Sequence, residues 1–404
     1  MPENRPSSAS PAAIPTMAAA CAITVANVYL CQPLLSAMAD SFHTTPSAAA
    51  RVASAAQIGY ALGILLVVPS ADRADPKQLV RGLLALTALA LALAAVSPSM
   101  QWLTLMSLLV TMATVVPQVL IPVAVSLAPP GQSGRVVGTM QSGLIAGILL
   151  SRTASGAIGQ LTGSWRAPYA VAAVLTGALL FILPRFVPSR AHAAPSAPKA
   201  YAALLGSLPR LLLTWRDLRF SACIGAAMFG AFSAFWATLA FHVAQPPFGL
   251  GPAQAGLFGV WGAAGALLAP RCGRLSDRFG PTFVNGLSIC AATLAFIVFL
   301  IAGDTSALAL VAGVNLLDFG NQAGQIANQA RIFRLDPAAR ARLNTVYMVS
   351  TFAGGALGTA LGTAAWSTHG WRGVCMTGFA LLGVAGGLLL SRSLIRRRAP
   401  ASAN

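Results

Sequence analysis

Apolar segments about 20 residues long recur through almost the whole chain, separated by short turns that carry glycine, proline and arginine. A segment of about 20 apolar residues is what an α-helix needs to cross the hydrocarbon core of a bilayer. We count twelve such segments, which predicts an all-α membrane protein with twelve transmembrane helices. The predicted spans are residues 14–37, 48–69, 79–97, 101–125, 136–160, 167–187, 219–241, 253–272, 283–302, 307–330, 343–366 and 372–391.

Composition agrees with a membrane protein and argues against other classes. Hydrophobic residues make up 56% of the 404-residue chain and charged residues only 9%, whereas a soluble domain carries about 25% charged residues. The net charge of +17 does not indicate a nucleic-acid partner, because the basic residues lie in short loops between apolar segments. The six cysteines include no CxxC pair, so neither a disulfide framework, a metal site nor a cofactor is expected.

One long, basic connection, rich in alanine and proline near its start, divides the chain. We predict an N-terminal six-helix bundle in residues 1–187, a cytoplasmic linker with a short surface helix in residues 188–218, and a C-terminal six-helix bundle with a basic tail in residues 219–404. The two halves repeat each other after a shift of about 205 residues: Asp72-Arg73 falls on Asp277-Arg278. Pseudo-symmetric halves of this kind predict a substrate site between them.

The basic residues also predict the orientation in the membrane. All lysines and arginines except Arg51, Arg152, Arg166 and Arg372 lie in the tails or on one side of the predicted spans. Because cytoplasmic loops carry the excess of positive charge, this side is expected to be cytoplasmic. We therefore expect a multi-pass protein of the bacterial inner membrane with both termini in the cytoplasm, surrounded by lipid and monomeric.

The loop between predicted helices 8 and 9 carries Gly273, Asp277, Arg278 and Gly280 in the pattern Gly-x-x-x-Asp-Arg-x-Gly. With the helix number and the repeat, this motif resembles the signature loop of the major facilitator superfamily. The first-half copy keeps only Asp72, Arg73 and Lys77.

The resemblance implies that each signature aspartate caps a helix of the opposite half and holds one face shut, as a carboxylate at a helix N-terminus would. Asp72 would then face the start of helix 11 near Asn344, and Asp277 the start of helix 5 near Arg135. The alternative is that Asp-Arg ends a helix in a solvated turn.

Arg152 lies within an apolar segment, in the stretch "GILLSRTASG". A charge at the centre of a membrane helix costs roughly 2.5–3.5 kcal/mol, so this arginine needs a reason. The stretch resembles the helix-5 antiporter motif of the drug–proton branch of the family: Gly147 and Gly156 match, whereas the intervening proline is replaced by Arg152. Three roles stay open: an ion pair with Asp318, a cavity or gating role without that pair, and an anchor that snorkels to the interface.

Predicted helix 10 carries a polar stripe at helical spacing. Residues three and four apart share one face of a helix, and a polar face must meet water or a polar neighbour. The stripe consists of Asn315, Asp318, Asn321, Gln322, Gln325, Asn328 and Gln329. We interpret it as cavity lining, with interhelical hydrogen bonding as the alternative, above all for Asn328 and Gln329. Gln118 on helix 4 and Asn27 and Gln32 on helix 1 are further cavity candidates.

Asp318 is the one acidic residue at mid-depth in a predicted span. Burial favours the neutral form of a carboxyl group and a nearby cation favours the charged form, so Asp318 is the candidate for carrying a proton. No GxxxxGK[ST], HExxH or GxSxG motif occurs, which argues against a nucleotide-driven pump and an intramembrane enzyme.

The sequence therefore predicts a secondary transporter that works by rocking of two halves. Efflux of a small organic molecule by antiport with protons is the leading hypothesis, because the chain resembles the drug and sugar efflux branch. Uptake by proton symport and a non-transporting sensor on the same fold are the alternatives.

Overall fold

The computed structural model describes residues 12–72, 74–128, 133–189, 201–268, 270–336 and 339–398. Within these ranges every regular element is a helix. The α-helices before the linker are α1 (Ala13–Tyr29), α2 (Leu35–Ser41), α3 (Pro46–Leu66), α4 (Pro76–Ala95), α5 (Met100–Ala113), α6 (Val116–Ser126), α7 (Ser133–Thr162) and α8 (Arg166–Ile182). Those that follow are α9 (Tyr201–Thr214), α10 (Arg216–Val243), α11 (Pro252–Trp261), α12 (Ala263–Leu268), α13 (Pro270–Phe279), α14 (Pro281–Ala302), α15 (Ala307–Ile332) and α16 (Arg340–Arg398).

Nine helical stretches in the described part of the chain are long and apolar enough to cross a membrane. The last of them, Arg340–Arg392, has 53 residues, which is more than twice the length that one crossing needs. It contains a break at Gly370, whose φ of 58° and ψ of −147° are not helical. The all-α membrane protein is thus confirmed, whereas the division into twelve spans and two bundles stays a prediction.

Local sequence explains where several helices begin. Thr45, Asp75, Ser99 and Ser306 each precede a helix, and their side chains accept a hydrogen bond from a backbone N–H of the first turn. These residue types are favoured at the N-cap because they satisfy an N–H group that has no partner within the helix. Proline follows at the first helical position of α3 and α4, where its missing N–H is not needed.

Three of the long helical stretches are interrupted part-way along their length. A 3₁₀ turn over Gln32–Leu34 separates α1 from α2, and a short break separates α5 from α6. Gly262 separates α11 from α12. Such breaks free backbone groups that need partners.

The turns of the bundle lie on two opposite faces. The basic face is formed by the turns at 74–75, 186–189 and 333–336, and by α9. Contacts between separate segments hold this face together: the Tyr201 hydroxyl donates to Leu66 O at 2.5 Å, and Ser189 hydrogen-bonds to Asp75. The opposite face is formed by the turns at 42–45, 96–99, 163–165, 244–251 and 303–306, and by Gly370.

Close packing of small residues joins the first half of the chain to the second near the opposite face. A Cβ atom added at Gly156 would overlap with Pro252 O, and one at Gly256 would overlap with Arg152 O. The Thr153 hydroxyl donates to Gly256 O at 2.8 Å across the same α7–α11 contact. Small residues allow membrane helices to approach this closely, so the two halves are sealed together here.

A second contact, between α3 and α16, closes the same side of the molecule. Gln57 Nε2 donates to Thr359 Oγ1 at 3.2 Å, and Ser47 Oγ donates to Thr363 O at 3.3 Å. Both bonds join uncharged groups, so no ion pair contributes to them.

Candidate functional site

A cavity of about 1070 Å³ lies between the two halves of the chain. Its walls come from α1, α3, α6 and α7 of the first half and from α10, α15 and α16 of the second. Pro76, Ser189, Phe333, Arg340 and Arg342 also line it, and these residues lie on the basic face. The cavity therefore reaches the basic face, while the α7–α11 and α3–α16 contacts seal the other end.

Aromatic rings form a continuous wall in the cavity. The ring centroids of Tyr60 and Phe352 are 4.7 Å apart, which joins the two halves. Phe352 in turn meets Phe229 at 5.1 Å, and Phe229 stacks on Phe232 at 5.5 Å with an interplanar angle of 14°. These distances are those of favourable aromatic pairs, and the wall offers an apolar, aromatic surface to a bound molecule.

Amide side chains supply the polar part of the lining. The structure places four of the sequence-predicted cavity residues there: Gln118, Asn321, Gln322 and Gln325. Gln118 Nε2 donates to the Tyr60 hydroxyl at 3.4 Å.

Gln329 lines the cavity nearer the basic face and donates to Asn344 Oδ1 at 3.2 Å. Asn328 is buried and hydrogen-bonds to Asn285 and Arg331, which is the interhelical role left open for it.

Three other predicted cavity residues are not in the lining. Asn27 is buried and its Nδ2 donates to Thr114 Oγ1 at 3.3 Å, beside the break between α5 and α6. Asn315 bridges the break at Gly262: its Nδ2 donates to Trp261 O at 2.7 Å and its Oδ1 accepts from Gly265 N at 3.0 Å. The sequence-based assignment of these two residues to the cavity is replaced by a role at helix breaks. Gln32, the third, contacts Arg152.

Arg152 is buried, with 1% of its surface exposed, at the sealed end of the cavity. Its Nε donates to Gln32 Oε1 at 2.6 Å, and its Nη1 to Ile148 O at 3.4 Å. Its guanidinium carbon lies 4.0 Å from the centroid of Trp236 and 4.8 Å from that of Tyr29. Arg152 therefore does not snorkel to the interface, and the anchoring alternative is wrong.

One nitrogen of this guanidinium is left without a partner. Nη2 is enclosed, and no hydrogen-bond acceptor for it is found in the described residues. Arg152 lines the large cavity on one side and, on the other, a gap of about 10 Å³ that Gln32, Trp236 and Ala255 also line. It stands between the cavity and the sealed opposite face.

Asp318 faces the same end of the cavity from α15. It is 5% exposed, and its Oδ2 is enclosed without a hydrogen-bond partner in the described part of the structure. Oδ2 packs against Gly262, where a Cβ atom would overlap with it. The Trp236 indole also lies beside this carboxyl group.

Arg152 and Asp318 influence each other electrostatically. Their side chains nevertheless form no ion pair within 4.0 Å of each other. The direct pair that the sequence left open is thus absent from this conformation, and the two charges stand apart.

The signature loop of the second half lies on the basic face. Asp277 is 77% exposed and meets Arg334 of the same half at 3.4 Å. Gly280, between α13 and α14, has a φ of 85° that favours glycine. Arg278 lies over the Phe279 ring at 5.1 Å, and a Cβ atom added at Gly273 would make only an ordinary van der Waals contact with Ile326.

The side chains of Asp72 and Arg135, and the whole of Arg73, lie outside the described residues. The expected contacts of the two aspartates with the opposite half therefore stay a prediction.

Sequence reasoning missed the aromatic partners of Arg152. Phe229, Phe232 and Trp236 follow one another at spacings of three and four in α10, which puts them on one helix face. That regular spacing is the signal that could have found them. Tyr29 carries no comparable pattern, since it lies alone near the end of α1.

In the described residues there is no group of three or more histidine, cysteine or acidic side chains that could hold a metal ion. The site consists of one cation, one carboxyl group, amides and aromatic rings at the end of a cavity between two halves. A cavity between the two halves of a helical membrane protein is the arrangement of multi-pass transporters, in which the substrate site lies between the halves.

Comparison with known sequences identifies the family. The family described as the Major Facilitator Superfamily matches residues 17–335, and the chain belongs to it. It is 38% identical over 372 residues to "Uncharacterized transporter YgaY" of Escherichia coli O157:H7, covering 91% of this chain and 92% of that protein. It is also 38% identical over 375 residues to "Probable transporter SCO4007" of Streptomyces coelicolor, covering 91% and 85%.

Solved structures agree on the fold. A bacterial homologue of the human lysosomal transporter Spinster, in an inward-facing and unoccupied conformation, superposes with a TM-score of 0.73 at 15% identity and covers 96% of this chain and 98% of that one. A mutant of the nucleoside transporter NupG gives a TM-score of 0.71 at 15% identity, covering 94% and 98%. At this identity the likeness concerns the fold alone.

Proposed function

We propose that this transporter exports a small organic molecule in exchange for protons, by alternating access of the central cavity to the two faces. The observation that carries the proposal is Asp318, a buried carboxyl group in the wall of a cavity that reaches one face only. Twelve spans in two bundles complete the proposed architecture. We assign the basic face to the cytoplasm of a bacterial inner membrane, with both termini inside and the protein monomeric.

The proposed motion uses the contacts between the two halves. The cavity is open to the basic face, and the α7–α11 and α3–α16 contacts close the other end with small residues and uncharged hydrogen bonds. Rocking of the halves would part these contacts and bring together the basic face, where the signature loops lie. Asp277, which is exposed in this conformation, would then reach the opposite half.

Exchange follows from competition at Asp318. When its carboxyl group is charged it can hold a hydrogen-bond donor of the substrate, and when it is protonated it cannot do so as strongly. Substrate leaving on the outer side is then replaced by a proton, and release of that proton inside restores the empty carboxylate.

The second candidate is uptake of substrate together with a proton. The observation that favours it is the unpaired Nη2 of Arg152, because an anion bound there would disfavour a second negative charge on Asp318. The two candidates differ in how the proton affects substrate binding. Substrate and proton compete in the first candidate, whereas they bind together in the second.

Alternating access can be tested without knowing the substrate. In a variant with the native cysteines replaced, Gln322→Cys places a thiol in the cavity, and a membrane-impermeant maleimide is applied from either side of oriented vesicles. We expect labelling from the basic face and slower labelling from the other face. Arg51→Cys, exposed in α3, is the one-sided control. If Gln322→Cys is labelled from one face only, with or without added compounds, the result would favour a non-transporting sensor on the same fold.

Coupling is tested in liposomes with an internal pH dye and a panel of small organic compounds. A compound exported by the protein should drive protons inward, and Asp318→Asn should abolish this proton movement. Asp40→Asn, an exposed residue outside the cavity, is the matched control and should behave as the unchanged protein. Substrate movement without proton movement would leave a transporter in which Asp318 only lines the cavity.

A further inference from the structure

The sealed end of the cavity holds two buried groups of opposite charge, and within the described residues neither has a charged partner. Arg152 Nη2 is an enclosed donor without an acceptor there. The Asp318 carboxyl group has the neutral Trp236 indole beside it, but its enclosed Oδ2 makes no hydrogen bond of good geometry. A buried polar atom that lacks a hydrogen bond is costly, and a buried charge even more so. Two such atoms at one end of one cavity call for a common explanation.

The site does not let the two groups satisfy each other. Arg152 is held in place by its Nε bond to Gln32 and by its contact with the Trp236 ring. Asp318 is held on the other side, where Oδ2 rests against Gly262. Both residues also line the large cavity, so a molecule bound at this end would meet both groups.

We infer that this end of the cavity binds a small zwitterion, whose carboxylate accepts from Arg152 Nη2 and whose ammonium group donates to Asp318. The inference rests on the proposed function, for which it names the substrate class. A simple anion would meet the negative charge of Asp318, and a simple cation the positive charge of Arg152. A zwitterion satisfies both groups and leaves the site neutral.

The surroundings indicate the body of such a molecule. Phe232 lies 5.9 Å from the Arg152 guanidinium carbon and stacks on Phe229, so the aromatic wall begins at the charged site. An apolar or aromatic group attached to the zwitterion would lie against this wall, and the amides of Gln322 and Gln325 would hydrogen-bond to any polar substituent.

The inference also explains exchange with protons. The charged and titratable groups around the Asp318 carboxyl are Arg152 from α7 and Tyr29 from α1, with the Trp236 indole from α10. An ammonium group and a proton would compete for this carboxylate, whereas the carboxylate of the ligand stays on Arg152. Ligand binding at a pH where Asp318 is protonated should therefore release a proton.

The test uses the full-length protein in lipid nanodiscs and isothermal titration calorimetry with matched probes. L-Phenylalanine and 4-(aminomethyl)benzoate are zwitterions with close and distant charges. 3-Phenylpropionate and 4-methylbenzoate lack the ammonium group, and 2-phenylethylamine and 4-methylbenzylamine lack the carboxylate. We expect at least one zwitterion to bind about 10- to 100-fold more tightly than both of its matched partners, the gain that one charge-assisted hydrogen bond gives.

The variants separate the two halves of the site. In Arg152→Gln, the zwitterion should no longer bind more tightly than the matched amine, which lacks the carboxylate. In Asp318→Asn, the zwitterion should no longer bind more tightly than the matched acid, which lacks the ammonium group. Arg51→Gln and Asp40→Asn, both exposed, should keep both preferences. If one of these variants fails to fold, Arg152→Lys or Asp318→Glu is used instead. Each conservative variant should still bind the zwitterion more tightly than the matched probe, but by a smaller factor. Proton release on binding, followed with a dye in weak buffer, should occur in the unchanged protein and not in Asp318→Asn.

Tighter binding of an acid than of its zwitterion, with proton uptake, would overturn the inference and favour cotransport of an anion. Absence of binding by both zwitterions at roughly 10 mM, ten times a Kd of about 1 mM, would also overturn it. Neither result would contradict alternating access, which the labelling of Gln322→Cys tests separately.

Discussion

The guanidinium carbon of Arg152 lies 4.0 Å from the ring centroid of Trp236. Arg152 belongs to α7 and Trp236 to α10, so this cation–aromatic contact joins the first half of the chain to the second at the sealed end of the cavity. A cation on an aromatic face is stabilised by about 2 kcal/mol or more when water is excluded. The contact thus offsets part of the cost of a buried charge and helps to hold the opposite face closed.

The first prediction concerns the strength of this contact. In reversible unfolding in mixed detergent micelles, a double-mutant cycle of Arg152→Met and Trp236→Leu should give a coupling energy of about 1–2 kcal/mol. Trp236→Phe should retain part of it, because phenylalanine keeps an aromatic face. Additivity of the two substitutions within about 0.3–0.5 kcal/mol would mean that the contact does not stabilise the protein.

The second prediction concerns Gln32, which accepts from Arg152 Nε at 2.6 Å. Gln32→Leu leaves another enclosed donor without an acceptor and should reduce the free energy of unfolding by about 1–3 kcal/mol. Gln101, exposed at the start of α5, provides the matched control: Gln101→Leu should change the stability by less than about 0.5 kcal/mol. Equal effects of the two substitutions would show that the Gln32 bond contributes nothing specific.

The sequence predicted part of this site and missed the rest for physical reasons. The spacing in α15 identified Asn321, Gln322 and Gln325 as cavity residues, because a polar helix face must have a polar environment. Asn315 shares that face but satisfies backbone groups freed at Gly262. A break in a neighbouring helix is not visible in the spacing of α15, so this role could not be predicted.

The partners of Arg152 show a second limit. Gln32 precedes it by 120 residues and Trp236 follows it in the other half of the chain, so only the packing of helices brings them together. The charge itself was easy to find, since an arginine in an apolar segment stands out. The starts of most helices were predicted well for a similar reason, because length and hydropathy are local properties. The predicted span 253–272 instead crosses the break at Gly262 and ends inside α13.

The third prediction concerns Gly262, which packs against Asp318 Oδ2. Its φ of −73° and ψ of −11° suit any residue, so Gly262→Ala introduces no backbone strain. The added Cβ would overlap with the carboxyl oxygen and should displace Asp318. We expect substrate-driven proton movement in liposomes to fall at least tenfold, which corresponds to about 1.4 kcal/mol.

Gly82 in α4 has open space around it and serves as the control for Gly262. Gly82→Ala should leave proton movement unchanged and stabilise the helix by roughly 0.5–1 kcal/mol. If Gly262→Ala also retains full proton movement, the position of the carboxyl group against Gly262 is not required for coupling.

The fourth prediction concerns the α7–α11 contact that closes the opposite face. Gly256 lies against the backbone of Arg152, and the side chain introduced by Gly256→Leu has no space in this conformation. Overpacking of this kind costs about 1–3 kcal/mol, which should shift the equilibrium roughly 5- to 150-fold toward the form that is open to the opposite face. Labelling of Gln322→Cys from the opposite face should become faster and labelling from the basic face slower.

Gly177→Leu in α8, where the glycine has open space, is the control and should leave both labelling rates unchanged. Slower labelling from both faces in Gly256→Leu would mean that the contact is needed for folding rather than for closure, and a measurement of the unfolding midpoint would show this directly.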